Sequence, residues 1–302
     1  MALVFLLYAL FASVFTISKM SLQYAQPFFF VGTRMLFAGV LMLAYQFFRD
    51  RANFVFLKKD FLYFLALGFF SIYLTNVLEF WGLKYLTSFK TCFIYSLSPF
   101  VSALLSYFLL AEKMNRKKWL GLLVGFSGFI PILLTTTQDE EQAGHLMVLS
   151  WAEIAVIIAA VSSVYGWILL KQLVADRNYT PFMANGVSML IGGSLALFHS
   201  SLVETWDPLP VTEAIPFMEC AMLLIIVSNL ICYNLYGSLL RKYSPTFMSF
   251  AGFTTPFFTA LFGWFYLDEI VSLPFFISAT IVLSGLFIFY LEELKKPYII
   301  QT

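Results

Sequence analysis

The residues of this chain best able to do chemistry are charged or amide side chains set inside long apolar runs: Arg34, Glu79 and Lys90, with Asn76 and Asn229. Placing a charge in hydrocarbon costs about 2.5–3.5 kcal/mol, so each such group implies an ion pair, a bound ligand or a proton to carry. Glu79 shares a row with Tyr73, Asn76 and Phe80, whose three- and four-residue spacing puts them on one face of a helix. Three roles fit it: a pair with Lys84 or Lys90, a contact to a cationic amine, or uptake of a proton. For Arg34 the choices are a guanidinium that reaches back to the interface, an anion contact, or an internal ion pair. Lys90 is the leading expectation for a direct substrate contact, to an anionic group such as a carboxylate. An unpaired amide does not face lipid cheaply, so Asn76 and Asn229 are expected to line an interior cavity or to bridge helices.

Further rows follow the same spacing: Thr91, Tyr95 and Ser98; Asn229, Tyr233 and Tyr236; Ser163 and Trp167, with Tyr165 nearby. Tyr95, Tyr165, Trp167 and Tyr233 therefore join the expected binding set. Glu153 and Glu219 stand near the starts of their apolar runs, where contact with interfacial water is a sufficient explanation. Covalent catalysis finds no support. His145 and His199 are the two histidines, and there is no HExxH, no paired carboxylate, no Ser-His arrangement and no Gly-rich phosphate loop. No catalytic residue, metal site or cofactor is expected, and ATP-driven pumping is excluded on this chain. Cys92, Cys220 and Cys232 lie in apolar runs without paired spacing and read as small buried residues.

The elements that must carry these groups follow from composition. Of 302 residues 61% are hydrophobic, 19% aromatic and 12% charged, which lies outside the range of water-soluble domains and makes the lipid bilayer a partner. A formal charge of +1 offers no basic excess for nucleic acid. Apolar runs of about 20 residues, the length a helix needs to cross hydrocarbon, recur ten times. Their approximate limits are 2–19, 28–48, 61–82, 89–110 and 118–136, then 149–171, 182–202, 215–238, 246–267 and 272–291. None alternates as a barrel strand would, so the fold class is all-α. The first run has no basic leader and is expected to be retained as a span.

The chain is also written twice. Pro99–Glu112, PFVSALLSYFLLAE, matches Pro256–Glu269, PFFTALFGWFYLDE, at Pro, Phe, Ala, Leu, Phe, Leu and Glu. Pro27–Leu43 matches Pro181–Leu197, and Leu74–Leu78 echoes Val227–Ile231. A repeat of five spans, an odd number, must enter the membrane upside down the second time, and such inverted repeats place a binding site near the midplane where the halves meet. The units are 1–136 and 149–302, joined by a non-cytoplasmic linker at 137–148. Asn76 and Asn229 are equivalent across the repeat, whereas Arg34 corresponds to Ser188, Glu79 to Cys232 and Lys90 to Phe247 or Met248. Pro99 and Pro256 each remove a hydrogen bond within a span, giving a kink or a pair of bends that flex in turn as a pathway opens. Gly121, Gly125, Gly128, Gly186, Gly192 and Gly193 let helices approach closely, within the chain or between two copies of it.

This order of motifs resembles the drug/metabolite transporter superfamily, EamA type: five plus five spans, Lys19 closing the first, Arg34 in the second, LxPFxxALxxxFxLxE in the fourth and ninth, and a Gly-rich fifth. The resemblance implies a secondary transporter of small polar or zwitterionic metabolites, amino acids or derivatives such as S-adenosylmethionine, working by alternating access in a cell inner membrane. A lipid-modifying membrane enzyme and a channel are the alternatives. The positive-inside rule orients the chain. With Met1 cytoplasmic, that side collects Arg49, Arg51, Lys58, Lys59, Lys113, Arg116, Lys117, Lys118, Lys171, Arg177, Arg241, Lys242, Lys295 and Lys296, against Lys19, Lys84 and Lys90 opposite. Both termini are then cytoplasmic. A monomer or weak homodimer is expected.

Overall fold

A computed structural model describes residues 2–109, 114–243, 248 and 251–290. Glu112, Lys113, Phe247, Lys295 and Lys296, on which the repeat and the orientation partly rest, lie outside the described residues. The fold is all-α. Among the described residues seven helical runs are long and apolar enough to cross a membrane: Leu3–Ser21, Pro27–Arg49, Lys58–Tyr85, Ser88–Leu105, Trp151–Asp176, Pro181–Val203 and Ala214–Leu239. The chain is a multi-pass membrane protein whose outward faces carry large apolar side chains, Leu62, Phe108, Phe198, Ile215 and Phe265 among them.

In chain order the helices are α1 (Ala2–Ser21), α2 (Pro27–Arg49), α3 (Phe61–Leu67), α4 (Thr75–Tyr85), α5 (Ser88–Tyr95), α6 (Ser98–Leu109), α7 (Arg116–Ser127), α8 (Ile130–Leu133) and α9 (Gln138–Gln142). A two-residue hairpin, His145–Leu146 with Leu149–Ser150, leads into α10 (Trp151–Lys171), α11 (Pro181–Val203), α12 (Ala214–Leu224), α13 (Tyr233–Leu239), α14 (Thr255–Leu267) and α15 (Leu273–Tyr290). The run expected at 118–136 is interrupted, α7 ending at Ser127 and α8 restarting at Ile130 ahead of Pro131. The described part of the run at 246–267 is a 3-10 turn, Gly252–Thr254, followed by α14.

Pro99 and Pro256 do not kink continuous helices. Each occupies the second position of a helix that starts afresh, α6 and α14, where the missing N–H is one the helix start leaves unpaired anyway. Ahead of Pro99 the break falls at Ser96 and Leu97, whose N–H groups bond three residues back, at 2.9 and 3.0 Å. Three of the described spans contain π-helix, one of them only at its end, Gln172–Asp176. Gly68–Leu74 joins α3 to α4, and Ile225–Cys232 joins α12 to α13, both as π-helix.

Helix α2 packs along α11, α7 along α15, α4 along α10 and α1 along α14. Small residues make these contacts close. A Cβ added to Gly121 would lie 2.7 Å from the Gly285 carbonyl oxygen, one on Gly39 2.9 Å from that of Gly186, and one on Gly192 2.6 Å from that of Gly68. Polar groups pin the ends of the α2–α11 pair. Glu204 accepts from the N–H groups of Phe28 and Phe29 at 2.7 and 2.8 Å, and Thr180 Oγ1 donates to Gln46 Oε1 at 2.7 Å.

Candidate functional site

A cavity opens where helices of both halves meet. Its volume is about 140 Å³. The π-helical turn of Gly68–Leu74 aims α4 into it. Widening a helix by one residue per turn frees carbonyls, and α4 supplies the donors for them: Thr75 Oγ1 reaches Phe70 O at 2.8 Å, and Asn76 Nδ2 reaches Ile72 O at 2.9 Å and Ser71 O at 3.3 Å. Thr75, Asn76, Glu79 and Phe80 then line the cavity. Tyr73 does not. It sits in the π turn and pairs its hydroxyl with His199 Nδ1 at 3.1 Å.

Glu79 and Arg34 are the one carboxylate and the one guanidinium among the described residues that line the cavity. Tyr95, at the C-terminal end of α5, donates to Glu79 Oε2 at 2.6 Å, and the helix break that follows puts Ser96 and Ser98 on the wall too. Arg34 is 2% exposed and does not reach back to the interface. Its Nη2 donates to Asn76 Oδ1 at 2.9 Å and its Cζ stands 5.1 Å from the Phe80 ring centroid. Its Nε and Nη1 have no partner among the described residues. No ion pair within 4.0 Å joins Arg34 to Glu79 among the described residues, so each keeps bonding capacity for something else.

The second half contributes aromatics. Trp167 of α10 lies against Tyr236 and Tyr233 of α13, with ring centroids 4.2 and 5.3 Å apart, and all three line the cavity. Helix α1 closes the wall with Tyr8, Phe11, Val14 and Phe15, the last edge-on to Tyr95 at 5.5 Å. Nothing in the sequence singles out these α1 aromatics among 36 Phe and 16 Tyr.

Three expected site residues stand elsewhere. Tyr165 packs edge-on to Phe70 at 5.0 Å and does not line the cavity. Asn229 is fully buried, its Nδ2 3.2 Å from Met35 Sδ, so it bridges helices instead of facing the cavity. Lys90 is not on the wall and does not pair with Glu79. Its ammonium is held by both oxygens of Glu140 at 2.9 Å, by Glu153 Oε1 at 2.8 Å and by the Thr135 carbonyl at 2.6 Å. This triad ties α5 to α9 and to the start of α10, where Ser150 and Glu153 form a reciprocal cap and Ser150 Oγ donates to Glu140 at 2.8 Å. Glu153, expected in interfacial water, is 1% exposed because the Lys90 charge is there to meet it. Lys19 and Glu269 also serve as caps. The former donates to the Leu83 and Leu86 carbonyls at 2.8 Å, and the latter accepts from Ser88 N and Oγ at 2.7 and 2.6 Å.

The model of the EamA-like transporter family matches residues 1–134 and again 150–291. The chain belongs to the EamA-like transporter family. Among curated members, a protein of Chlamydia muridarum (strain MoPn / Nigg) named S-adenosylmethionine/S-adenosylhomocysteine transporter is 36% identical over 99% of this chain and 94% of its own. Its namesake from Chlamydia trachomatis serovar L2 is 36% identical over 99% of this chain and 91% of its own. A Bacillus subtilis protein named uncharacterized transporter YyaM is 28% identical over 68% of each chain. A solved crystal structure superposes with a TM-score of 0.64 over 95% of both chains at 15% identity, a likeness of fold.

Proposed function

We propose that this EamA-like transporter moves S-adenosylmethionine and S-adenosylhomocysteine, or close zwitterionic relatives, across a cell inner membrane by alternating access around the cavity. The observation that carries the reading is identity of 36% over 99% of the chain with proteins named for that pair of ligands. The cavity suits it, since a substrate with a carboxylate, a cationic centre and an aromatic base meets Arg34, Glu79 and the Trp167, Tyr233 and Tyr95 rings there. Asn76 positions Arg34. The architecture is ten spans as two inverted five-helix units, 1–136 and 149–302, with both termini cytoplasmic and the 137–148 linker opposite.

The helix pairing supports that symmetry. An inverted two-fold relation sets the second span against the seventh and the fifth against the tenth, as α2 pairs with α11 and α7 with α15. It also matches the contact of the third span with the sixth to that of the eighth with the first, and α12 and its π turn do lie on α1. The restarts at Pro99 and Pro256 are the hinges on which the halves rock. The protein acts as a secondary transporter, monomeric or weakly dimeric, with no enzymatic step. A ligand that binds only the folded state stabilises it, by about 2.7 kcal/mol at a hundred times its Kd. Thermal unfolding of the purified protein is therefore expected to shift upward with S-adenosylmethionine and with S-adenosylhomocysteine, and not with equal concentrations of methionine or adenosine. No shift with either nucleoside overturns the substrate reading.

A further inference from the structure

Resting on that reading, we infer that Glu79, held by Tyr95, is the group that distinguishes a sulfonium substrate from its neutral thioether, while Arg34 anchors the carboxylate common to both. The two poles come from neighbouring helices, Arg34 from α2 and Glu79 from α4, and Asn76 of α4 joins them. Arg34 docks on Asn76 at 2.9 Å, and Asn76 and Glu79 are three residues apart on α4, so their Cβ atoms lie about 5–6 Å from each other. The anion end has unused capacity, because Nε and Nη1 of a fully buried guanidinium lack partners among the described residues. A buried donor left unmet is costly, and a carboxylate meets two at once.

The cation end has a different character. Glu79 Oε2 already accepts from Tyr95, and Oε1 has no partner among the described residues. Around it stand ring faces: Phe15 edge-on to Tyr95 at 5.5 Å, and Tyr233 on the same cavity wall. An ammonium brings three N–H donors that need three acceptors. A sulfonium has no N–H, and its charge is met by one carboxylate and by aromatic faces. The pole therefore fits the sulfonium better than the α-ammonium. The thioether product keeps the carboxylate and ammonium but gives Glu79 nothing to hold.

The test measures Kd of the purified full-length protein for S-adenosylmethionine, S-adenosylhomocysteine and decarboxylated S-adenosylmethionine. Glu79→Gln keeps shape and a hydrogen-bond acceptor for Tyr95. It is expected to weaken the sulfonium ligand by about 10- to 100-fold and the thioether by no more than about twofold, the range for loss of one charged partner. Arg34→Gln is expected to erase the preference of the wild type for the carboxylated over the decarboxylated ligand. Equal loss of both adenosyl ligands in Glu79→Gln, or no loss of either, overturns the inference and leaves the substrate reading standing. Wild-type protein that binds neither refutes the substrate reading and the inference with it. Tyr95→Phe, which retains the charge, is a second variant for the case in which Glu79→Gln fails to fold: it is expected to weaken the sulfonium ligand more than the thioether, and parity there also overturns the inference.

Discussion

Replacing Lys90 by methionine is expected to damage folding before it touches substrate binding. Lys90 is 3% exposed, and its ammonium neutralises one of the two carboxylates it contacts, Glu140 at 2.9 Å and Glu153 at 2.8 Å, both 1% exposed. Its removal leaves two like charges buried together. Breaking a buried ion pair by deleting one partner costs about 3–5 kcal/mol, and the doubled residual charge puts this case at the upper part of that range. Neutralising all three groups removes the penalty, since a buried triad replaced as a unit is close to neutral in stability. Lys90→Met with Glu140→Gln and Glu153→Gln is therefore expected to recover most of what Lys90→Met loses. Equilibrium unfolding in mixed detergent micelles measures both. A Lys90→Met protein as stable as the wild type, with ligand affinity down tenfold or more, would refute this assignment and put the ammonium in the substrate path.

Gly285→Leu is expected to destabilise the α7–α15 contact by more than about 1–3 kcal/mol, the usual cost of overpacking, because a Cβ at Gly285 would lie 2.4 Å from the Gly125 backbone nitrogen; unchanged unfolding would show that these helices can part. Pro256→Ala should leave stability within about 1 kcal/mol, as its missing N–H is unpaired at a helix start, while slowing exchange in vesicles; loss of folding instead would assign the proline a purely structural role. Single cysteines at the exposed Gln142 and Asn53, with the three native cysteines replaced, should react with an impermeant reagent on intact cells at Gln142 alone. Labelling at Asn53 alone reverses the orientation.

Much of this architecture can be read from the residues because lipid restricts the choice: apolar runs near 20 residues become helices, and Pro99, Pro256 and Gly121 mark their restarts and contacts. Where α-helical spacing fails, so does the prediction. The row of Tyr73, Asn76, Glu79 and Phe80 assumes an unbroken α-helix, and the π turn at Gly68–Leu74 sends Tyr73 to His199 while keeping the other three on the wall. Spacing identifies Glu79 and Asn76 because they are near neighbours on one helix. The partnership of Lys90 with Glu140 and Glu153, 50 and 63 positions away, depends on how the linker folds back over α5, and no local pattern encodes that. Asn229 is equivalent to Asn76 in the repeat but meets Met35 and Met189, whereas Asn76 meets Arg34, so sequence symmetry does not carry over to chemistry.

Counterflow in sealed vesicles tests the central claim most directly. With purified protein reconstituted and S-adenosylhomocysteine trapped inside, labelled S-adenosylmethionine added outside should enter faster than into empty vesicles, saturate with concentration, and be recovered chemically unchanged. Entry that rises linearly and ignores the trapped nucleoside would make the protein a channel. Conversion of the label in detergent, with no flux in vesicles, would make it an enzyme, and either result would contradict transport by alternating access.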